Sequence, residues 1–119
     1  MVASSPQPSF SAMTVQELDQ RLAQDHAHLQ LLDVREPQEV EIAFIPGFEV
    51  LSLSRFSDLA EQITQRLNLQ AETIVLCHHG VRSAQMCQWL AQQGFTNLKN
   101  VTGGIDAYSL KVDPSIPRY

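Results

Sequence analysis

The segment VLCHHGVRSAQM, residues 75 to 86, brings together a thiol, two imidazoles, a guanidinium and a hydroxyl. Cys77 closes an apolar run, Gly80 follows it, and Arg82 and Ser83 open a stretch whose spacing predicts a helix over 82–93. A cysteine at the end of a strand, turned by a glycine into a helix, meets N–H groups that have no carbonyl partner of their own. Such donors and nearby cations favour thiolate over thiol, and the thiolate is the nucleophile. Cys77 is therefore the candidate nucleophile. The N–H groups of His78, His79, Gly80, Val81, Arg82 and Ser83 form the candidate anion-binding loop. Arg82 either adds positive charge or forks onto carboxylates that brace the loop. Ser83 either caps the helix or donates to sulfur. A cysteine at a strand end is otherwise a small buried apolar residue; the run of Cys, Gly, Arg and Ser into a helix favours the functional thiol.

The elements that must position this loop follow from pattern and punctuation. Ser9 to Met13 reads as a short edge strand. Thr14 and Glu17 form a capping box for a helix that ends near Asp25, with Leu18 and Leu22 on one face. Leu29 to Val34 reads as a buried strand, and Pro37 starts a short helix to about Ile42. Pro46-Gly47 turns the chain into a third strand, Glu49 to Leu53. Ser57 to Leu67 is amphipathic, and Thr73 to Cys77 is the next strand. Gly94 stops the helix after the loop. Leu98 to Val101 is a last strand, Gly103-Gly104 opens a last helix, and Pro114 and Pro117 are expected to end the order. Alternating strands and helices predict an α/β fold in three layers, a parallel sheet with helices on both faces. In such sheets ligands bind beyond the carboxyl ends of the strands, where Cys77 falls.

Cys77-His-His-Gly80-Val-Arg82-Ser83 resembles the active-site loop of the rhodanese family, C-x-x-G-x-R-S. Leu32-Asp33-Val34-Arg35-Glu36-Pro37 with Glu39 resembles its D-V-R-x-x-x-E signature, and Ile45-Pro46-Gly47 its H-I-P-G turn. Gln93-Gly94-Phe95 through Val101-Thr102-Gly103-Gly104 to Tyr108 is similar to its G-F…V…L-x-G-G…W ending. Ala43-Phe44 stand where the family usually has Gly-His, and Tyr108 where it has tryptophan. The resemblance implies a five-stranded parallel sheet and sulfur transfer. The cysteine takes a sulfane sulfur from thiosulfate or a persulfide, holds it as a persulfide, and passes it to a thiophilic acceptor. The implied partners are a small sulfur-containing donor and that acceptor, a protein acceptor included; no cofactor and no metal are implied. Related cysteine phosphatases space the cysteine and arginine one residue wider, and the shorter loop here argues against them. Members that prefer thiosulfate carry basic loop residues, whereas ordinary imidazoles are largely neutral at pH 7. The alternative from another class is a non-catalytic rhodanese-like module that binds a partner protein.

Asp33, Arg35 and Glu39 are read as a supporting ion-pair cluster under the loop rather than as catalysts, with Asp33 placed to hold loop backbone. His78 and His79 are adjacent in sequence, a poor geometry for a closed metal site. Cys87 is either a resolving thiol or a small core residue; the helix between it and Cys77 makes a bridge awkward and favours the core.

Composition sets the remaining bounds. With 119 residues the chain fits one domain, expected over 9–119 after a loose tail over 1–8 rich in Ser and Pro. A net charge of −5 argues against nucleic acid and anionic membranes as partners. The first residues, MVASSPQPSFSAM, have neither the basic nor the apolar region of a secretory signal, and no apolar stretch approaches membrane-spanning length. Two cysteines are too few for a disulfide framework, so a reducing cytoplasm is the expected compartment.

Overall fold

Leu31, Ile74, Leu76 and Val101 belong to one apolar core, and Leu32, Val75 and Leu98 to a second, following the two-residue period that a strand imposes. Between the cores lies a five-stranded sheet formed by β1 (Ser11–Met13), β2 (Gln30–Asp33), β3 (Glu49–Val50), β4 (Thr73–Leu76) and β5 (Leu98–Val101). Its order is β1-β5-β4-β2-β3 and every pairing is parallel. The computed structural model describes residues 9–119; the tail expected over 1–8 lies outside the described residues.

Helices cover both faces, as the sequence predicts. On one face Val15 and Leu18 of α1 (Val15–Ala23) pack with Ile105 and Tyr108 of α5 (Gly104–Lys111). On the other, Ile63 of α3 (Phe56–Arg66) packs with Met86, Cys87 and Leu90 of α4 (Val81–Gln92). The short α2 (Pro37–Ile42) follows β2. Leu18, Ile74, Val75 and Leu90 are fully buried, and each such side chain contributes roughly 1.5–3 kcal/mol. The capping box at α1 forms as expected: Glu17 N–H donates to Thr14 Oγ1 at 3.1 Å, and Thr14 N–H donates to Glu17 Oε1 at 3.2 Å.

Two expectations are corrected. The third strand pairs only at Glu49 and Val50, because its partner β2 ends at Asp33, which is in register with Val50. Leu51 N–H still donates to Asp33 O and Leu53 N–H to Val34 O, after which the chain curls into a 3₁₀ turn at Leu53–Arg55. The chain also stays ordered beyond Pro114 and Pro117. Ile116 is buried against the α5 core, Ser109 Oγ donates to Ile116 O at 2.5 Å, and Arg118 forks onto Asp106. Apolar anchoring and ion pairing there outweigh the prolines, which limit hydrogen bonding without preventing docking.

The topology sets the site. Central β4 has β2 and β5 as neighbours, and Leu76 is in register with Asp33. Cys77 therefore leaves the sheet at the edge where Asp33 ends its own strand, beyond the carboxyl ends.

Candidate active site

Residues 77–80 turn β4 into α4 in one step, and two glycines make the turn possible. Gly80 is the N-cap of α4 with φ +100°, a left-handed conformation that disfavours any side chain. A Cβ at Gly104 would land on the carbonyl oxygens of Cys77 and His78. Without it, the start of α5 closes onto the loop: Ile105 N–H donates to Cys77 O at 2.9 Å and Asp106 N–H to His78 O at 3.1 Å. The loop backbone is thus held from β4, α4 and α5 together.

Cys77 itself is 1% exposed. Its Sγ accepts from Gly80 N–H at 3.0 Å and lies 3.2 Å from Ser83 Oγ. Of the loop N–H groups expected around the sulfur, Gly80 N–H is the one that reaches it among the described residues. Val81, Arg82 and Ser83 occupy the first turn of α4, where N–H groups have no intrahelical acceptor. N–H groups at a helix start are of the kind that can donate to an anion.

Arg82 clamps Glu39. Its Nη1 lies 2.6 Å from Oε1 and its Nη2 2.8 Å from Oε2, a two-point fork. That hydrogen bonding, opposed by burial, holds the Glu39 carboxyl down at about 2, and the Glu39 carboxylate raises Arg82 further above its ordinary range. Ser83 does not cap the helix; its hydroxyl donates to Asn100 Oδ1 instead.

Asp33 and Arg35 form the buried pair beneath. Arg35 is 0% exposed, yet its side-chain donors are used on Asp33, Glu39 O, Ala43 O and the Tyr119 hydroxyl. Asp33 accepts from the Arg35 backbone N–H at 3.1 Å and from its guanidinium, so it serves Arg35 rather than the 77–83 backbone it was expected to hold. A buried charge with its donors satisfied is structural in character.

His78 adds no fixed charge. Burial, then neighbouring His79, pushes the His78 imidazole below its ordinary value, so it is neutral at pH 7. Its ring stacks on Tyr119 at 3.9 Å and 8°, and Nε2 is buried without a hydrogen-bond partner. His79 is exposed, 3.9 Å from Asp106. No cluster of three metal-ligating side chains occurs among the described residues. Cys87 is 0% exposed, and burial pushes its thiol up to about 12, as fits a core residue.

Sequence reasoning missed two residues of the site. Asn100 projects from β5 onto both Ser83 and Gly80, and Tyr119 joins Arg35 to Glu39 through its hydroxyl. Asn100 sits in register with Val75, so a parallel β4–β5 pairing already places it beside the loop. Nothing local in the sequence marks Tyr119.

The sequence profile of the Rhodanese-like domain family matches residues 14–111. This chain belongs to the rhodanese-like domain family. It is 58% identical over 90 residues to Rhodanese-like/PpiC domain-containing protein 12, chloroplastic, of Arabidopsis thaliana, covering 76% of this chain and 30% of that protein. It is 35% identical over 86 residues to putative sulfurtransferase YtwF of Bacillus subtilis, covering 72% of this chain and 79% of that one. A rhodanese-like domain protein from Staphylococcus aureus superposes with TM-score 0.72 at 24% identity, over 92% of this chain and 99% of that one. The chain thus spans less than a third of the Arabidopsis protein. Relatives carry sulfurtransferase and sulfur-carrier names. Among the described residues no helix is long and apolar enough to cross a membrane.

Proposed function

We propose that this protein is a rhodanese-type sulfurtransferase that carries sulfane sulfur as a persulfide on Cys77, within one domain spanning 9–119. The supporting observation is the placement of Sγ at the mouth of α4, bonded by Gly80 N–H and beside the Ser83 hydroxyl. The Cys77 thiolate attacks the sulfane sulfur of thiosulfate or a persulfide. The new bond joins Sγ to that sulfur, the old sulfur–sulfur bond breaks, and sulfite or a thiolate leaves with the electron pair. The terminal sulfur then carries the negative charge, which the N–H groups of His78 to Ser83 receive. A thiophilic acceptor, small molecule or protein, attacks that terminal sulfur and regenerates the Cys77 thiolate. Arg82 braces the loop through Glu39, with Asp33 and Arg35 supporting it. The cycle needs no cofactor or metal, and we place it in the cytoplasm.

A neutral His78 leaves the loop less cationic than a strong thiosulfate binder needs, so a persulfide donor is favoured over thiosulfate. The near-complete burial of Cys77 favours a second reading, a partner-binding module without turnover. Thiosulfate and cyanide, with thiocyanate followed for the parent and Cys77→Ser, separate the two. Thiocyanate from the parent alone supports the enzyme; equal rates contradict it.

A further inference from the structure

Four hydrogen bonds close a ring around the reacting sulfur. Gly80 N–H donates to Cys77 Sγ at 3.0 Å, Sγ meets Ser83 Oγ at 3.2 Å, Ser83 Oγ meets Asn100 Oδ1, and Asn100 Nδ2 donates to Gly80 O at 3.1 Å. The heavy atoms alone leave the direction of the sulfur–hydroxyl bond open. The rest of the ring decides it.

Gly80 O is a carbonyl and only accepts, so the amide nitrogen of Asn100 must face it. Asn100 Oδ1 is then turned to Ser83, and it too only accepts. A hydroxyl has one proton, and Ser83 spends it on Asn100. Ser83 Oγ therefore presents a lone pair to Cys77, and the S–H donates to it. We infer that Asn100 is a positioning residue that holds Ser83 as acceptor of the Cys77 proton and so keeps the unloaded cysteine a thiol.

Ser83 is on this view a two-position rotor. When the Cys77 proton leaves to water, the hydroxyl swings from Asn100 Oδ1 to the sulfur and donates to the anion, leaving Oδ1 without its bond. Thiolate formation thus competes with the Asn100 bond, which opposes the helix N-terminus. The inference rests on Cys77 being the sulfur-carrying nucleophile, and it assigns a residue that controls when that nucleophile is released.

The test is iodoacetamide alkylation of Cys77 across pH, followed by peptide mass, on the full chain, with unfolding curves to show each variant folded. Asn100→Ala removes the competing acceptor. Its alkylation profile is expected to move to lower pH by about one unit, with about tenfold faster alkylation at neutral pH, the worth of one neutral hydrogen bond. Asn100→Ala also loses the bond to Gly80 O, so two controls separate the rotor from a loosened loop. In Ser83→Ala, adding Asn100→Ala is expected to leave the profile in place. Asn100→Asp retains an acceptor for Ser83 and is expected to move the profile the opposite way. An unmoved profile in Asn100→Ala, an equal shift without Ser83, or Asn100→Asp following Asn100→Ala overturns the inference. Alkylation needs no sulfur donor, so missing thiocyanate production with the expected profiles removes the sulfurtransferase reading alone.

Discussion

Glu39 Oε2 accepts from two directions at once, from Arg82 Nη2 at 2.8 Å and from the Tyr119 hydroxyl at 2.8 Å. One carboxylate on α2 thus ties the 77–83 loop to Tyr119, and Tyr119 passes the connection on to the buried Arg35. Asp33, Arg35, Tyr119, Glu39 and Arg82 form one continuous chain of charge-assisted bonds from the sheet edge to the loop. Such networks rigidify when fully satisfied.

Replacing Arg82 by Lys keeps a positive charge but removes the two-point fork on Glu39. The loop then loses its fixed position, and misplacement near 1 Å costs up to about 100-fold in rate. Arg82→Lys is expected to slow thiocyanate formation by about 10- to 100-fold while Cys77 remains alkylatable. Slowed turnover with intact thiol reactivity is the readout; an unchanged rate means the fork does not set the loop.

The depressed Glu39 carboxyl makes stability depend on pH in a stated window. Unfolded, the group titrates near 4.5; folded, at about 2. Between these values the unfolded chain binds the proton and the folded one does not. Its contribution is therefore full above about pH 4.5, declines as pH falls, and is gone below about pH 2, a difference of about 3 kcal/mol. Urea unfolding of the parent and Glu39→Gln at several pH values should show a gap that is wide at pH 7 and narrows steadily from pH 4.5 downward. A gap independent of pH contradicts the ion pair as its source.

Tyr119→Phe keeps the ring on His78 and removes the hydroxyl between Arg35 and Glu39. Burial pushes the Tyr119 phenol up to about 12, so the hydroxyl is protonated and donates to Glu39 at any working pH. Its loss leaves a donor of buried Arg35 unused, costing about 1–3 kcal/mol. Thermal unfolding is expected to fall by roughly 3–10 °C.

Cys87 is expected to be silent in the chemistry. Cys87→Ala should transfer sulfur at the parent rate, whereas Cys87→Ser places a hydroxyl among Met86, Leu90 and Ile63 and loses about 1–3 kcal/mol. Loss of turnover in Cys87→Ala, with the fold intact, means this thiol takes part.

The sequence carries the strands, the helices and the loop because each has a local cause: the apolar run from Leu29 to Val34, the capping box at Thr14 and Glu17, the turn glycine at Gly80. Contacts between residues far apart in the chain were not legible in the same way. Asn100 reads only as a strand residue until β4 and β5 are paired, and Tyr119 lies 84 residues from the arginine it touches. The third strand is shorter than its sequence suggests because its end is set by where β2 stops, which no residue of 51–53 encodes.

The persulfide cycle stands on an extra sulfur held by Cys77. Intact mass after incubation with thiosulfate or a small persulfide, then after reduction, is the direct measurement. One added sulfur atom in the parent, removed by reduction and absent from Cys77→Ser, is the expected result. An unchanged parent mass with both donors, or the same addition in Cys77→Ser, contradicts it.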